Sequence, residues 1–393
     1  MSSLSRHLAI LSGFLLCAWA VCAWWFGYVT QLQYESPDSF FMFGSQFLQQ
    51  WAARPGDLTL YATRFLRQFS HYTWLGTLVA ATAATALGLV AHLVARRLRP
   101  EPSVLHTVLP AVALLVLHAR GGDLAVGALL CYALFLGYLT LGSGPAGRAY
   151  TVAATVILYV IGGAFAWPFA LWILAYESRG RQGRDNLGFR AAYLALTLCL
   201  PWVAYRWLYG ISLSVALRHP IYPAGSALEL CLGLYLVLLP LALARRWPWA
   251  LQSRLGPGRA LAATLSATAV AAAVLLGLSH DAGSAEVARY HRLYRARQWD
   301  SLLEMARSDP SPSGMSQFFT NFALAQKGQL LEQMFTYPQQ YGTGGLVLSF
   351  STSDEHLSRA MYASDLFFEM GHTNAAFRLA YNQRNLGRSY ANL

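Results

Sequence analysis

Two carboxylates, Glu35 and Asp38, stand three residues apart in YESPDSFFMF, a few positions beyond the first long apolar run. One helical turn brings both to the same face, and a carboxylate held at a membrane surface is suited to accept a proton from a nucleophile. Cations able to hold a departing anion lie far downstream. Arg206 sits in the apolar stretch AYRWLYG. Arg218-His219-Pro220 follow in GISLSVALRHPIYPAG, a loop too short and broken to span a bilayer but apolar enough to dip into one. An arginine costs about 3 kcal/mol at the centre of a membrane helix, so Arg206 is expected near a helix end, where its guanidinium reaches the interface. Structural duties compete with the chemical ones. Asp38, after Ser36-Pro37, suits the N-cap of the helix that follows, and Asp57, after Pro55-Gly56, suits another. Arg206 can simply snorkel, and Glu229 can pair with one of the arginines.

The elements that must carry these residues follow from composition. Of the 393 residues 55% are apolar and 12% charged, against roughly 25% charged in an ordinary soluble domain. The deficit is regional. Residues 1–280 hold 19 arginines and 8 acids, whereas residues 281–393 hold 10 charges of each sign, so the whole net charge of +11 belongs to the apolar part. The chain therefore divides into a membrane body, 1–280, and a C-terminal part of ordinary composition, 281–393. The excess arginine is spread over loops, which reports orientation and anionic lipid rather than nucleic acid.

Apolar runs without period-2 alternation must be helices where water cannot satisfy the backbone. At about 20 residues per span, candidates fall near 8–29, 73–95, 103–118, 123–142, 149–163, 164–177, 189–208, 226–243 and 259–279. Residues 149–177 decide the count. A reversal near Gly162-Gly163, rather than one long span with a break at Trp167-Pro168, keeps Arg6, Arg96, Arg97, Arg99, Arg148, Arg179, Arg181, Arg184, Arg190, Arg245, Arg246, Arg254 and Arg259 on one side. Arginine accumulates in cytoplasmic loops, so the expectation is about nine spans, a cytoplasmic N-terminus and a periplasmic C-terminal part. Ala18-Trp19-Ala20 has the form of a signal-peptide cleavage site, but the apolar run continues to Val29 and the expectation is a retained span. All five cysteines lie in apolar runs, so no disulfide framework is expected.

The outer loop, 30–72, carries two amphipathic runs. Phe40, Phe43, Phe47 and Trp51 recur at helical spacing after Asp38, as do Leu58, Tyr61, Phe65, Leu66 and Phe69 after Asp57, which predicts two helices lying on the membrane surface. In the C-terminal part the spacing predicts two short helices over 284–309 and another over 314–328, closed by Gly328. Ala363, Phe367 and Gly371-His372, followed by Ala375, Ala376, Leu379 and Ala380, have the small-and-aromatic spacing of a tetratricopeptide-like helix–turn–helix. The fold class is all-α, a polytopic helix bundle with surface helices and a soluble helical-repeat domain. Such repeats bury their apolar faces by stacking, so the last pair is expected either to dock on the outer loops or to belong to a shortened repeat array.

The segments QYESPDSFFMF, RPGDLTLYATRFLRQFSHYTWLG, NFALAQKGQLLEQMF and FFEMGHTNAAFRLAYNQ resemble a family of multi-pass membrane proteins from gut anaerobes defined as a domain of unknown function. The resemblance covers most of the chain, although Pro55-Gly56-Asp57 replaces that family's usual Pro-Gly-Gly, and its members tend to continue with more helical pairs. The architecture is also similar to the GT-C glycosyltransferases, which take sugar from a polyprenyl-phosphate carrier. That likeness implies Glu35 or Asp38 as the base and Arg206, Arg218 and His219 as ligands of the lipid phosphate. The rival expectation is a scaffold whose C-terminal repeats recruit an envelope protein, the body serving as an anchor. No HExxH, CxxC, Walker or GxSxG motif occurs, Asp354-Glu355-His356 lacks a second histidine at ligand spacing, and the spans hold almost no central acid for a coupling ion. No metal site is expected, and no cofactor is specified. Sidedness is directly testable: a reporter enzyme that works only outside the cytosol is expected to be active when fused after Leu393, and activity of a cytosol-only reporter there refutes the arrangement.

Overall fold

The computed structural model describes residues 15–30, 41–99, 105–119, 124–178, 187–221, 226–244, 257–310, 313–347 and 354–389. Its regular structure is helical, with no strand among the described residues. Helix α1 (Leu15–Trp25) occupies the first apolar run, and α2 (Ser45–Gln50) and α3 (Asp57–Arg67) lie in the loop after it. The apolar helices follow: α4 (Thr73–Leu98), α5 (Leu105–Ala119), α6 (Ala125–Leu141), α7 (Pro145–Gly162), α8 (Ala166–Glu177), α9 (Leu187–Val203), the short α10 (Leu213–Arg218), α11 (Ala227–Ala244) and α12 (Pro257–Ser279). The C-terminal part holds α13 (Ala282–Arg295), α14 (Trp299–Ser308), α15 (Gly314–Gln326), the one-turn α16 (Leu330–Gln333), α17 (Asp354–Glu369) and α18 (Thr373–Ser389). The described parts of 1–24, 42–66 and 75–280 form one compact unit, and those of 25–41, 67–74 and 281–393 form a second.

In the first unit three helical stretches are long and apolar enough to cross a membrane: Thr73–Leu98, Pro145–Glu177 and Leu187–Leu208. The second of these is not one rod. The Tyr138 ring lies against Gly147 while its hydroxyl donates to Glu177, two points that 30 residues of straight helix would hold about 45 Å apart. The chain reverses at Gly163, and α8 runs back along α6. Trp167-Pro168 does not break the helix, because Pro168 falls in the first turn of α8, where its missing N–H has no intrahelical partner to lose.

Side chains from α4 to α11 share one core in which Leu87, Phe135, Leu158, Phe169 and Ile173 are wholly buried. Polar contacts within it have identifiable causes. Pro240 lies inside α11 and cannot donate to the carbonyl four residues back, that of Leu236. The Tyr132 hydroxyl donates to that carbonyl at 2.6 Å, and Trp172 Nε1 donates to the next one, Val237, at 2.7 Å. The backbone fault in α11 thereby becomes the point where α6 and α8 attach.

Helix α2 and the residue Phe43 before it meet the aromatic face of α3, through Phe43–Phe65 and Phe47–Tyr61 with ring centroids 5.8 and 6.1 Å apart. Arg64 lies 4.2 Å over the Trp51 ring. The first of the two is shorter than its apolar spacing predicts, six residues from Ser45, and Asp38 lies outside the described residues.

The second unit is built on aromatic packing. Tyr290, Tyr294, Phe318, Phe319, Phe322 and Tyr362 form its core with Leu302. Asp281 caps α13 by accepting the amides of Gly283 and Ser284, and its own amide donates to the Tyr28 hydroxyl at 2.9 Å. The expected helices over 284–309 and 314–328 are present, and Gly328 ends α15 in the left-handed region. Helices α17 and α18 pack as a helical hairpin, joined at Gly371 (φ +79°), where the His372 amide donates to the Phe367 carbonyl at 2.8 Å.

At Gly163 the φ of +57° and the space both demand glycine, since a Cβ would overlap the carbonyl oxygens of His219 and Pro55. Gly163→Ala is expected to destabilise the protein by about 2–4 kcal/mol, from the left-handed backbone and the overlap together. Gly142→Ala, where φ is +75° but the space is open, should cost only the conformational part, about 1–2 kcal/mol. Thermal unfolding of the two variants in detergent measures the difference.

Candidate functional site

The Gly163 turn is the floor of a junction between three segments distant in sequence. The first is Pro55-Gly56-Asp57 at the start of α3, where Gly56 (φ +95°) donates its amide to the Val160 carbonyl at 3.1 Å. The second is the turn itself, whose Ala164 amide donates to the His219 carbonyl at 2.9 Å. The third is the end of α10 and the residues after it. There Tyr159 hydroxyl and Trp167 Nε1 donate to the Ala216 and Leu217 carbonyls, at 2.8 and 2.9 Å, and the His219–Pro220 peptide is cis. Every backbone group named here lies where neighbouring helices cannot satisfy it by regular pairing, so the segments satisfy one another.

One side-chain contact closes the junction. His219 Nε2 lies 2.7 Å from Asp57 Oδ1, with the two residues 4% and 0% exposed. Arg54 Nε donates to the same carboxylate at 3.4 Å. An ionised carboxylate can only accept, so in this contact Nε2 is the donor. Asp57 is therefore the anchor of an imidazole; it is the first residue of α3, and the capping duty expected of it is not what its carboxylate performs. The same charge is felt by Tyr209, whose phenol is pushed up by burial and by Asp57.

The expected site residues divide around this contact. His219 is in it. Arg218, its chain neighbour, is exposed, and its Nε donates to the Ser214 carbonyl at 3.4 Å. Arg206 lies on the exposed face of a π-helical turn, Ala204–Leu208, that follows Pro201; such turns are frequent at functional sites. Glu35 and Asp38 lie outside the described residues. Glu229 accepts from the Ser226 hydroxyl at 3.0 Å, and Ser226 Oγ in turn accepts the Glu229 amide. Sequence reasoning took Asp57 and His219 separately and passed over Arg54 as a partner. The available signal was that an acid in a Pro-Gly turn and a histidine in a broken apolar loop both need a polar partner once buried.

A second polar cluster occupies the other end of the bundle, and it was not foreseen. Glu177, 4% exposed, accepts the Tyr138 hydroxyl, while Arg148, at the start of α7, lies 5.2 Å over the Phe189 ring. Tyr193 and Thr155 share a hydrogen bond of 2.7 Å one turn further in. Among the described residues no group of three or more histidine, cysteine, aspartate or glutamate side chains is arranged to hold a metal ion.

Removing one side of a buried hydrogen bond costs about 1–3 kcal/mol, because the remaining group keeps its burial and loses its partner. Asp57→Leu and His219→Leu should each destabilise the protein by that order. The double variant should lose less than both together, with a coupling energy of about 1–3 kcal/mol, measured by thermal unfolding of all four proteins. Additive losses would show that the contact carries no energy of its own.

No curated protein and no solved structure matches the chain. Residues 4–387 match the Family of unknown function (DUF6057), and with nearly its whole length covered the chain belongs to that family.

Proposed function

We propose that this protein is an inner-membrane transferase of the GT-C kind, taking a sugar from a polyprenyl-phosphate carrier. In this reading about nine spans place the N-terminus in the cytoplasm, α2, α3 and α10 on the outer side, and a tetratricopeptide-like C-terminal unit in the periplasm. The acceptor's nucleophile attacks the anomeric carbon and the bond to the phosphate oxygen breaks. Glu35 or Asp38 takes the nucleophile's proton, and the phosphate leaves with the electron pair, held by Arg206, Arg218 and His219.

The observation that carries the reading is the buried Asp57–His219 contact. It ties the start of α3 to the segment bearing Arg218, across 162 residues of chain. It also sets an imidazole on the carboxylate that Arg54 contacts. Asp57 in this scheme is a positioning residue, which keeps one ring nitrogen of His219 protonated and the ring in place.

The exposed apolar side chains of the C-terminal unit favour a second reading, a scaffold that binds a protein partner. Leu331, Phe335, Phe368 and Phe377 are 92%, 81%, 63% and 70% exposed, and large apolar side chains left to water are the material of a partner surface. Reconstitution of the full chain with polyprenyl-phosphate sugars separates the two. Transfer should fall by about 10²–10⁴-fold in the Glu35→Gln/Asp38→Asn variant at unchanged thermal stability. Undiminished transfer eliminates the base assignment; no transfer by the native chain, with function lost only on removing residues 281–393, favours the scaffold.

A further inference from the structure

Helices α8, α9 and α11 leave between them a cleft of about 610 Å³, within the size range of small-molecule sites. Its walls include Leu171, Leu174, Leu238 and Leu241, and among the described residues its polar lining is Ser178 and Arg190, both at one end. Leu171 and Leu238 are 49% and 53% exposed, so the cleft opens sideways, where the surroundings of these apolar helices are lipid. The polar end lies beside the Tyr138–Glu177 cluster and away from the Asp57–His219 junction, since Ser178 follows the last residue of α8 and Gly163 precedes its first.

We propose that this cleft holds an acyl chain of an anionic phospholipid of the bilayer, with the lipid phosphate at Arg190 and Ser178. Basic pockets between membrane helices on the arginine-rich side are suited to anionic head groups, and a guanidinium matches phosphate by paired hydrogen bonds. Among the described residues two arginines come together near the polar end. Arg148 lies against Phe189, the residue before Arg190, and Glu177, the acid on this end of α8, is buried and accepts the Tyr138 hydroxyl. A zwitterionic head group would bring its own cation toward both arginines, whereas phosphatidylglycerol brings none. The four leucines supply an apolar track for one chain, and the sugar carrier proposed above would bind at the opposite end.

Native mass spectrometry of the delipidated full chain, exchanged into nanodiscs of phosphatidylcholine with or without phosphatidylglycerol, tests the site. The native protein is expected to retain phosphatidylglycerol in preference and to gain thermal stability from it. Arg190→Gln should weaken retention about tenfold, and Leu174→Trp, which fills the track, should do the same; Ala242→Leu fills the same cleft if the tryptophan variant does not fold. Arg97→Gln, at the exposed end of α4, should leave retention unchanged. Equal retention of the two lipids, or equal weakening by Arg97→Gln and Arg190→Gln, overturns the proposal in favour of diffuse surface charge.

Discussion

The contact between Asp57 and His219 is the constraint on which one end of the helix bundle depends. A carboxylate with no exposure to solvent must be matched by donors, because desolvating it unpaired costs several kcal/mol. Here the donors are an imidazole 162 residues away and a guanidinium three residues back. Satisfying that one group fixes where α3 begins and where α10 must end. The backbone of the Gly163 turn then closes against both, and only a residue without a side chain fits there. The geometry of the loop helices is thus set by an electrostatic requirement, with apolar packing filling in around it.

The opposite end is organised by the same logic with different groups. Glu177 accepts a phenol hydroxyl, Arg148 lies against an aromatic face and Arg190 lines the edge of a cleft. Between the two ends Tyr132 and Trp172 repair the backbone at the fault made by Pro240. In an apolar interior a hydrogen bond to an otherwise unsatisfied carbonyl is worth more than one added to a satisfied network. That explains why a proline in the middle of α11 joins helices together.

In the C-terminal unit the balance shifts toward packing. Tyr294 is in ring contact with Trp299, Phe319, Phe322 and Tyr362 and donates its hydroxyl to Asp365 at 3.0 Å. Burial and the Asp365 carboxylate both push that phenol well above its usual range, so it remains a donor at any physiological pH. One side chain thereby joins α13, α14, α15 and α17, which is how helices of ordinary composition form a core without cysteine.

Hydropathy along the chain was enough to establish the all-helical class, the apolar helices and the break in composition near residue 280, because each follows from local composition. The reversal at Gly163 was legible for the same reason: two glycines interrupt a run too long for one span and too short for two. The aromatic spacing of α2 and α3 identified both helices but not their mutual contact, since an amphipathic face specifies that it must be buried and not against what. The pairings of Asp57 with His219, Glu177 with Tyr138 and Tyr132 with the Leu236 carbonyl were decided only by tertiary structure. Each joins groups 39 to 162 residues apart, and local composition shows that a polar group will need a partner without showing which distant segment supplies it.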